Sequence, residues 1–180
     1  MECGWSRPGE YKEIIQIGAI KINSKLQVED TFDVLVKPVL NPILSDYIQR
    51  LTKIDQGILE SQGVDLLIAL KSFKTFCEGS DVIISNGGDQ YIIEENLKIR
   101  GQSLILHDLT FCDIQPIFAE MRGDRSHISI EEMASILKIS GRHHSALSDS
   151  FTLHKILEKS GKAHNYNQFV KSLLAKKYKL

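Results

Sequence analysis

A three-layer α/β domain is predicted by the order of elements along the chain. Two strand-like segments open it as a hairpin, and helix-like and strand-like segments then alternate to the end. Glu13 to Asn23 reads as a strand with two apolar faces, one with Ile14, Ile20 and Ile22, the other with Ile15, Ile17 and Ala19. Two apolar faces suit an interior strand. Gln16 and Gly18 interrupt the first of them. Asn23-Ser24-Lys25 fits a turn, and Asp30 to Lys37 completes the hairpin with Phe32, Val34 and Val36 on one face. Pro38, Asn41 and Pro42 break the pattern.

Helical spacing follows at Ile43 to Leu51 and more strongly at Val64 to Cys77, with Gly79 as its stop. Asp81 to Ser85 is a short apolar strand, and Asn86-Gly87-Gly88 turns it into a helix from Asp89 to Arg100. Leu104 to Phe111 is a further strand candidate. Four more helices are expected at about 113–121, 129–138, 149–159 and 165–176, the second opened by a Ser129–Glu132 capping box.

A chain of 180 residues, 42% apolar and 25% charged, suits one globular domain and excludes wholesale disorder. No apolar run approaches the ~18 residues of a membrane span, and the N-terminus lacks the pattern of a signal peptide. Three widely spaced cysteines, Cys3, Cys77 and Cys112, argue against a disulfide framework or zinc ribbon and fit a reducing, cytoplasmic setting. Residues 161–180 carry five lysines and no acid, which leaves a balance of −6 on residues 1–160. Such a tail suits a polyanion, or simply a solvated last helix. The expected division is a domain over 1–160 and a basic helix or tail over 161–180, in the same domain or appended to it.

Four places gather polar groups where strands end or helices begin, as ligand sites of α/β sheets do. Glu2 reads as a metal-binding carboxylate or as a surface acid. Asp89, after a double glycine, reads as a helix N-cap or as a residue facing a phosphate backbone. His144 and Asp149, five residues apart at a loop-to-helix junction, can share a cleft, or form a surface loop and a cap. His107, His127, His154 and His164 fit no ligand spacing. No zinc motif, P-loop, dinucleotide fingerprint or nucleophile elbow is present.

Together these segments resemble the DEDDh 3′–5′ exonucleases, nearest to the histone-mRNA and RNA-interference 3′ exoribonuclease type and its bacterial relatives. The resemblance spans about residues 1–160. Met1-Glu2-Cys3-Gly4-Trp5 is similar to the remainder of an Asp-x-Glu first motif, and Glu13-Ile14-Ile15-Gln16-Ile17-Gly18-Ala19 to the family's second strand. Asp30 to Pro38, Asn41-Pro42, Leu44-Ser45-Asp46 and Leu51-Thr52-Lys53-Ile54 follow in family order, with Lys53 where glycine is usual. Asp89 is similar to the second-motif Asp, without the preceding aromatic residue. His144-Ser145-Ala146-Leu147-Ser148-Asp149 resembles the third motif, His-x-Ala-x-x-Asp.

The resemblance implies a ribonuclease H-like fold with a mixed central sheet between helices. In that register the first catalytic Asp and the first, central strand fall upstream of Met1. It also implies two Mg²⁺ or Mn²⁺ ions held by Glu2, Asp89 and Asp149, and His144 as general base. Trp5 and Tyr47 become candidates for stacking on a terminal base or for core packing, and Leu51 and Ile54 further candidate substrate contacts. The expected activity is metal-dependent hydrolysis from single-stranded 3′ ends, RNA rather than DNA. The alternative is a catalytically impaired nucleic-acid-binding domain.

Overall fold

The structure, a computed structural model, describes residues 1–4, 11–103, 105–123, 127–140, 145–160 and 165–177. Its strands form two sheets. In the first, β1 (Glu2–Cys3), β2 (Ile14–Ile22) and β3 (Val28–Leu35) are antiparallel with β2 in the middle. In the second, β4 (Ile83–Ser85) runs parallel to β5 (Phe111–Asp113). Helices α1 (Asp46–Thr52), α2 (Gln56–Gln62) and α3 (Leu66–Phe76) lie between β3 and β4 in the chain, and α4 (Asp89–Ile99) joins β4 to β5. Then come α5 (Gln115–Arg122), α6 (Ile130–Ile136), α7 (Ala146–Ser160) and α8 (Tyr166–Lys177). The expected α/β fold forms, but in place of one mixed central sheet the described strands make an antiparallel three-stranded sheet and a separate parallel pair.

The alternation of β2 sorts its neighbours. Ile17 and Ala19 pack with Phe32 of β3 and with Leu70 and Phe73 of α3, while Gln16 and Gly18 turn to the start of α7. The hairpin is therefore sandwiched between helices, which makes the three layers. A second core cluster gathers Ile114 and Phe118, Met133, Ile156, and Phe169 and Leu173 of α8. The lysine-rich end of the chain thus contributes two buried side chains to the core around β5.

Several elements differ from expectation. The strand expected over Leu104–Phe111 is confined to Phe111–Asp113. Ahead of it, Leu106 is buried in a turn whose carbonyl accepts the Leu109 N–H. Lys74 holds that turn, with Nζ 2.9 Å from Asp108 Oδ1. These tertiary ties outweigh the β-propensity of the run. Helix α1 starts at Asp46 rather than Ile43, because the Ser45 hydroxyl caps it by accepting the Ile48 N–H. It ends at Lys53, whose φ of 63° is the left-handed conformation that favours glycine. Strand β1 and helix α2 were not anticipated: one is two residues long, and the other is opened by an Asp55 cap within a short polar segment.

Glu13 ties the hairpin to the loop after it. It is fully buried, and its carboxylate accepts N–H groups of Val39, Leu40 and Asn41 at 2.7, 2.8 and 2.7 Å. Arg100, at the end of α4, stands 3.7 Å away. Nearby, Asn96 Oδ1 accepts the Ile14 N–H at 2.9 Å, and Asn96 Nδ2 donates to the Lys12 carbonyl at 2.8 Å. Glu13→Ala removes the acceptor of three backbone donors and leaves buried Arg100 without its carboxylate. The expected cost is ~3–5 kcal/mol, a fall in Tm of roughly 10 °C by thermal unfolding. An unchanged Tm would show that this polar knot contributes nothing net.

Candidate functional site

A cleft of about 640 Å³ lies between β2 and β4, and its lining includes Met1, Gly18, Asn86, Asp89, Asp149 and Ser150. Two of the three predicted acidic residues therefore face one space, and the third, Glu2, adjoins it on β1.

Asp89 stands where β4 ends and α4 begins. Gly88 occupies the N-cap position, without a side chain to bond the first turn. The Asp89 carboxylate is thus not consumed as a helix cap, one of the two uses its sequence position allowed. Asp89 Oδ2 lies 3.7 Å from the α-amino nitrogen of Met1, and its side chain is 29% exposed.

Asp149 lies at the fourth residue of α7, not at its opening as the expected helix at 149–159 would have it. The helix opens at Ala146, and the Asp149 N–H already bonds the Ser145 carbonyl at 2.9 Å. This earlier start has a tertiary cause. Gln16 Oε1 on β2 accepts the Ala146 N–H at 3.0 Å, while Gln16 Nε2 donates to Asp33 Oδ1 at 2.7 Å. The Ser150 hydroxyl donates to the Gly18 carbonyl at 3.0 Å. A Cβ on Gly18 would lie 2.7 Å from Leu147 Cα and closer still to Leu147 N. Only glycine admits the helix so near the strand. Gln16, Gly18 and Ser150 thus place Asp149, although none of the three was among the expected site residues. The signal was present in two of them: a polar residue and a glycine on an otherwise apolar strand face.

The electrostatics favour positive charge at this point. Burial pushes the α-amino group of Met1 down, but Asp89, Cys3, Glu2 and Asp149 push it up, and the net shift is upward. The Cys3 thiol is pushed to about 11, chiefly by burial. At neutral pH it is a neutral thiol and not a nucleophile. The donors suit a hard divalent ion in kind: the carboxylates of Asp89 and Asp149 line one cleft. Among the described residues, no three His, Cys, Asp or Glu side chains are grouped closely enough to hold a metal.

The remaining candidates separate. Tyr47 on α1 is 57% exposed. Leu51 is half-buried on the same helix. Ile54 is buried with Ile15, Leu44, Ile48 and Leu59, so its side chain is used in packing rather than presented to a ligand. His144 and Trp5 lie outside the described residues. His154 Nε2 donates to the Leu26 carbonyl oxygen, 2.6 Å away. No described helix is long and apolar enough to cross a membrane.

The family model described as "Exonuclease" (RNase_T) matches residues 2–157. Among solved structures, a full-length 3′-exonuclease is similar over 87% of this chain and 76% of its own, with TM-score 0.73 and 21% identity. The nuclease domain of 3′hExo, described as a DEDDh family member bound to rAMP, is similar over 87% and 86%, with TM-score 0.75 and 21% identity. A 3′-exonuclease in 3′-end-specific recognition of the histone mRNA stem-loop is similar over 87% and 76%, with TM-score 0.73 and 20% identity. At these identities the likeness shows a shared fold. No curated protein matches the chain.

Proposed function

The chain belongs to the exonuclease family, and on that premise we propose that it shortens single-stranded RNA from the 3′ end by metal-dependent hydrolysis. The observation that carries this reading is the meeting of Asp89 and Asp149 in one cleft, with Glu2 beside it. Asp89 reaches it from the first residue of α4, and Asp149 from the first turn of a helix docked on β2.

Glu2, Asp89 and Asp149 would hold the divalent ions. Two such ions, when bound, activate water and neutralise charge on the phosphate and the departing oxygen. The protein's own contribution is to bring the carboxylates together and keep them oriented. That arrangement costs like-charge repulsion unless a cation is present. His144 would accept the proton of the attacking water, a role suited to imidazole, whose ordinary pKa is about 6.5. Exposed Tyr47 offers a ring for a terminal base. The choice of RNA is supported by two similar structures, whose descriptions name rAMP and a histone mRNA stem-loop.

The test is an end-label assay with Mn²⁺. A 5′-labelled single-stranded RNA is expected to yield a descending ladder, and a 3′-labelled one to release labelled mononucleotide first. EDTA abolishes both, and DNA of the same sequence is cut more slowly. RNA bound but left intact with Mn²⁺ would overturn the reading in favour of a binding domain. The lack of a three-residue metal cluster among the described residues favours that second reading.

A further inference from the structure

The loop that presents Asp89 is tied down by side chains from outside its own strand and helix. Asp113, the last residue of β5, turns Oδ1 to two backbone N–H groups, those of Gly87 and Gln115, each at 2.9 Å. Gln115, at the start of α5, donates from Nε2 to Asn86 Oδ1 and, at 2.6 Å, to the Ile128 carbonyl. Its Oε1 accepts the Ile128 N–H at 3.1 Å. The Ser85 hydroxyl donates to the Gly87 carbonyl at 3.1 Å. Asn86 and Gly87 are thus gripped from β5 and α5 and by the carbonyl of Ile128, before α6.

The loop needs such a grip. Gly87 has φ of +105°, and Gly88 bonds the first turn of α4 with no side chain. A double glycine loses more conformational freedom on folding than any other pair. Helix α4 itself is anchored through buried Ile93, Asn96 and Leu97, and the outside ties fix the glycine turn that leads into Asp89.

We infer that Asp113, acting with Gln115, is a positioning residue: it sets where the Asp89 carboxylate stands and so tunes the affinity of the cleft for a divalent ion. The inference rests on the metal-dependent reading above. It extends that reading to residues that touch neither metal nor RNA. Partners that bond a metal ligand directly are worth about 10–100-fold in metal affinity, and that scale is taken here for a tie that acts through the Gly87 N–H, two residues before Asp89.

The experiment uses the full chain and the variants Asp113→Ala, Asp113→Asn and Gln115→Ala. Mn²⁺ binding is followed by calorimetry, and RNA cleavage is measured against Mn²⁺ concentration. Asp113→Ala is expected to raise both the Kd for Mn²⁺ and the half-saturating Mn²⁺ concentration about 10–100-fold. The KM for RNA at saturating Mn²⁺ should stay within about twofold, since uniform substrate binding is not touched. Asp113→Asn keeps an oxygen acceptor at the same place and should restore wild-type affinity. A lower Tm for Asp113→Ala with unchanged Mn²⁺ affinity overturns the inference and leaves Asp113 a purely structural residue. If Asp113→Ala does not fold, Gln115→Ala decides on the same two readouts. A wild-type chain that neither binds Mn²⁺ nor cuts RNA overturns the proposed function and this inference together. A wild-type chain that does both, with an unaffected variant, overturns the inference alone.

Discussion

Asp89→Asn is expected to reduce RNA cleavage about 1,000-fold, or ~4 kcal/mol of transition-state stabilisation. The fold should be unharmed. Asp89 is partly exposed, and Gly88, not Asp89, occupies the cap position of α4. Asparagine has the same shape, so only the charge and one hard ligand are removed. A second readout separates a lost ligand from a damaged protein. Mn²⁺ should raise the Tm of the wild-type chain, because an ion that binds only the folded state stabilises it by mass action. In Asp89→Asn that increase should shrink or vanish, while the Tm without metal stays close to wild type. Full activity in Asp89→Asn would remove this carboxylate from the mechanism.

Gly18→Val is expected to be the most damaging single change in the hairpin. The α7 backbone sits against the Gly18 α-carbon, and backbone cannot move aside as a flexible side chain can. Seating a valine means pushing the first turn of α7 off β2. That also breaks the Gln16–Ala146 and Ser150–Gly18 hydrogen bonds. Overpacking of this kind costs ~3 kcal/mol or more. For a chain of this size the expected fall in Tm is roughly 6–12 °C. Activity should fall even below the transition, because the displaced turn carries Asp149. A Gly18→Val protein with wild-type Tm and activity would refute this account of how α7 is placed.

The two changes act at different levels, and the same difference separates what was legible in the sequence from what was not. Apolar periodicity in β2, β3, α3 and α4 comes from burial on one or two faces, a local property of the chain, and those elements formed where expected. Caps are local too: Ser129 and Glu132 form the expected reciprocal pair. Boundaries set by distant partners were not legible. Gln16, 130 residues away, bonds the Ala146 N–H at the start of α7. The turn before β5 is held to α3 by Lys74.

The candidate site divides in the same way. Glu2, Asp89, His144 and Asp149 stood out because their segments resemble the family's three motifs in order, while residue type and spacing alone left each with a bland alternative. That Asp89 and Asp149 share a cleft follows from chain segments 60 residues apart meeting across two sheets. No local pattern encodes such a meeting. The partners of Gln16, Gly18, Asp113 and Gln115 were equally invisible, because each meets a backbone group at least 13 residues along the chain. The sequence by itself determined the chemistry on offer, the order of the elements and the family. Only the tertiary structure decided which backbone groups meet those side chains, because packing and long-range hydrogen bonds, not local propensity, fix where a helix starts and which way its carboxylate faces.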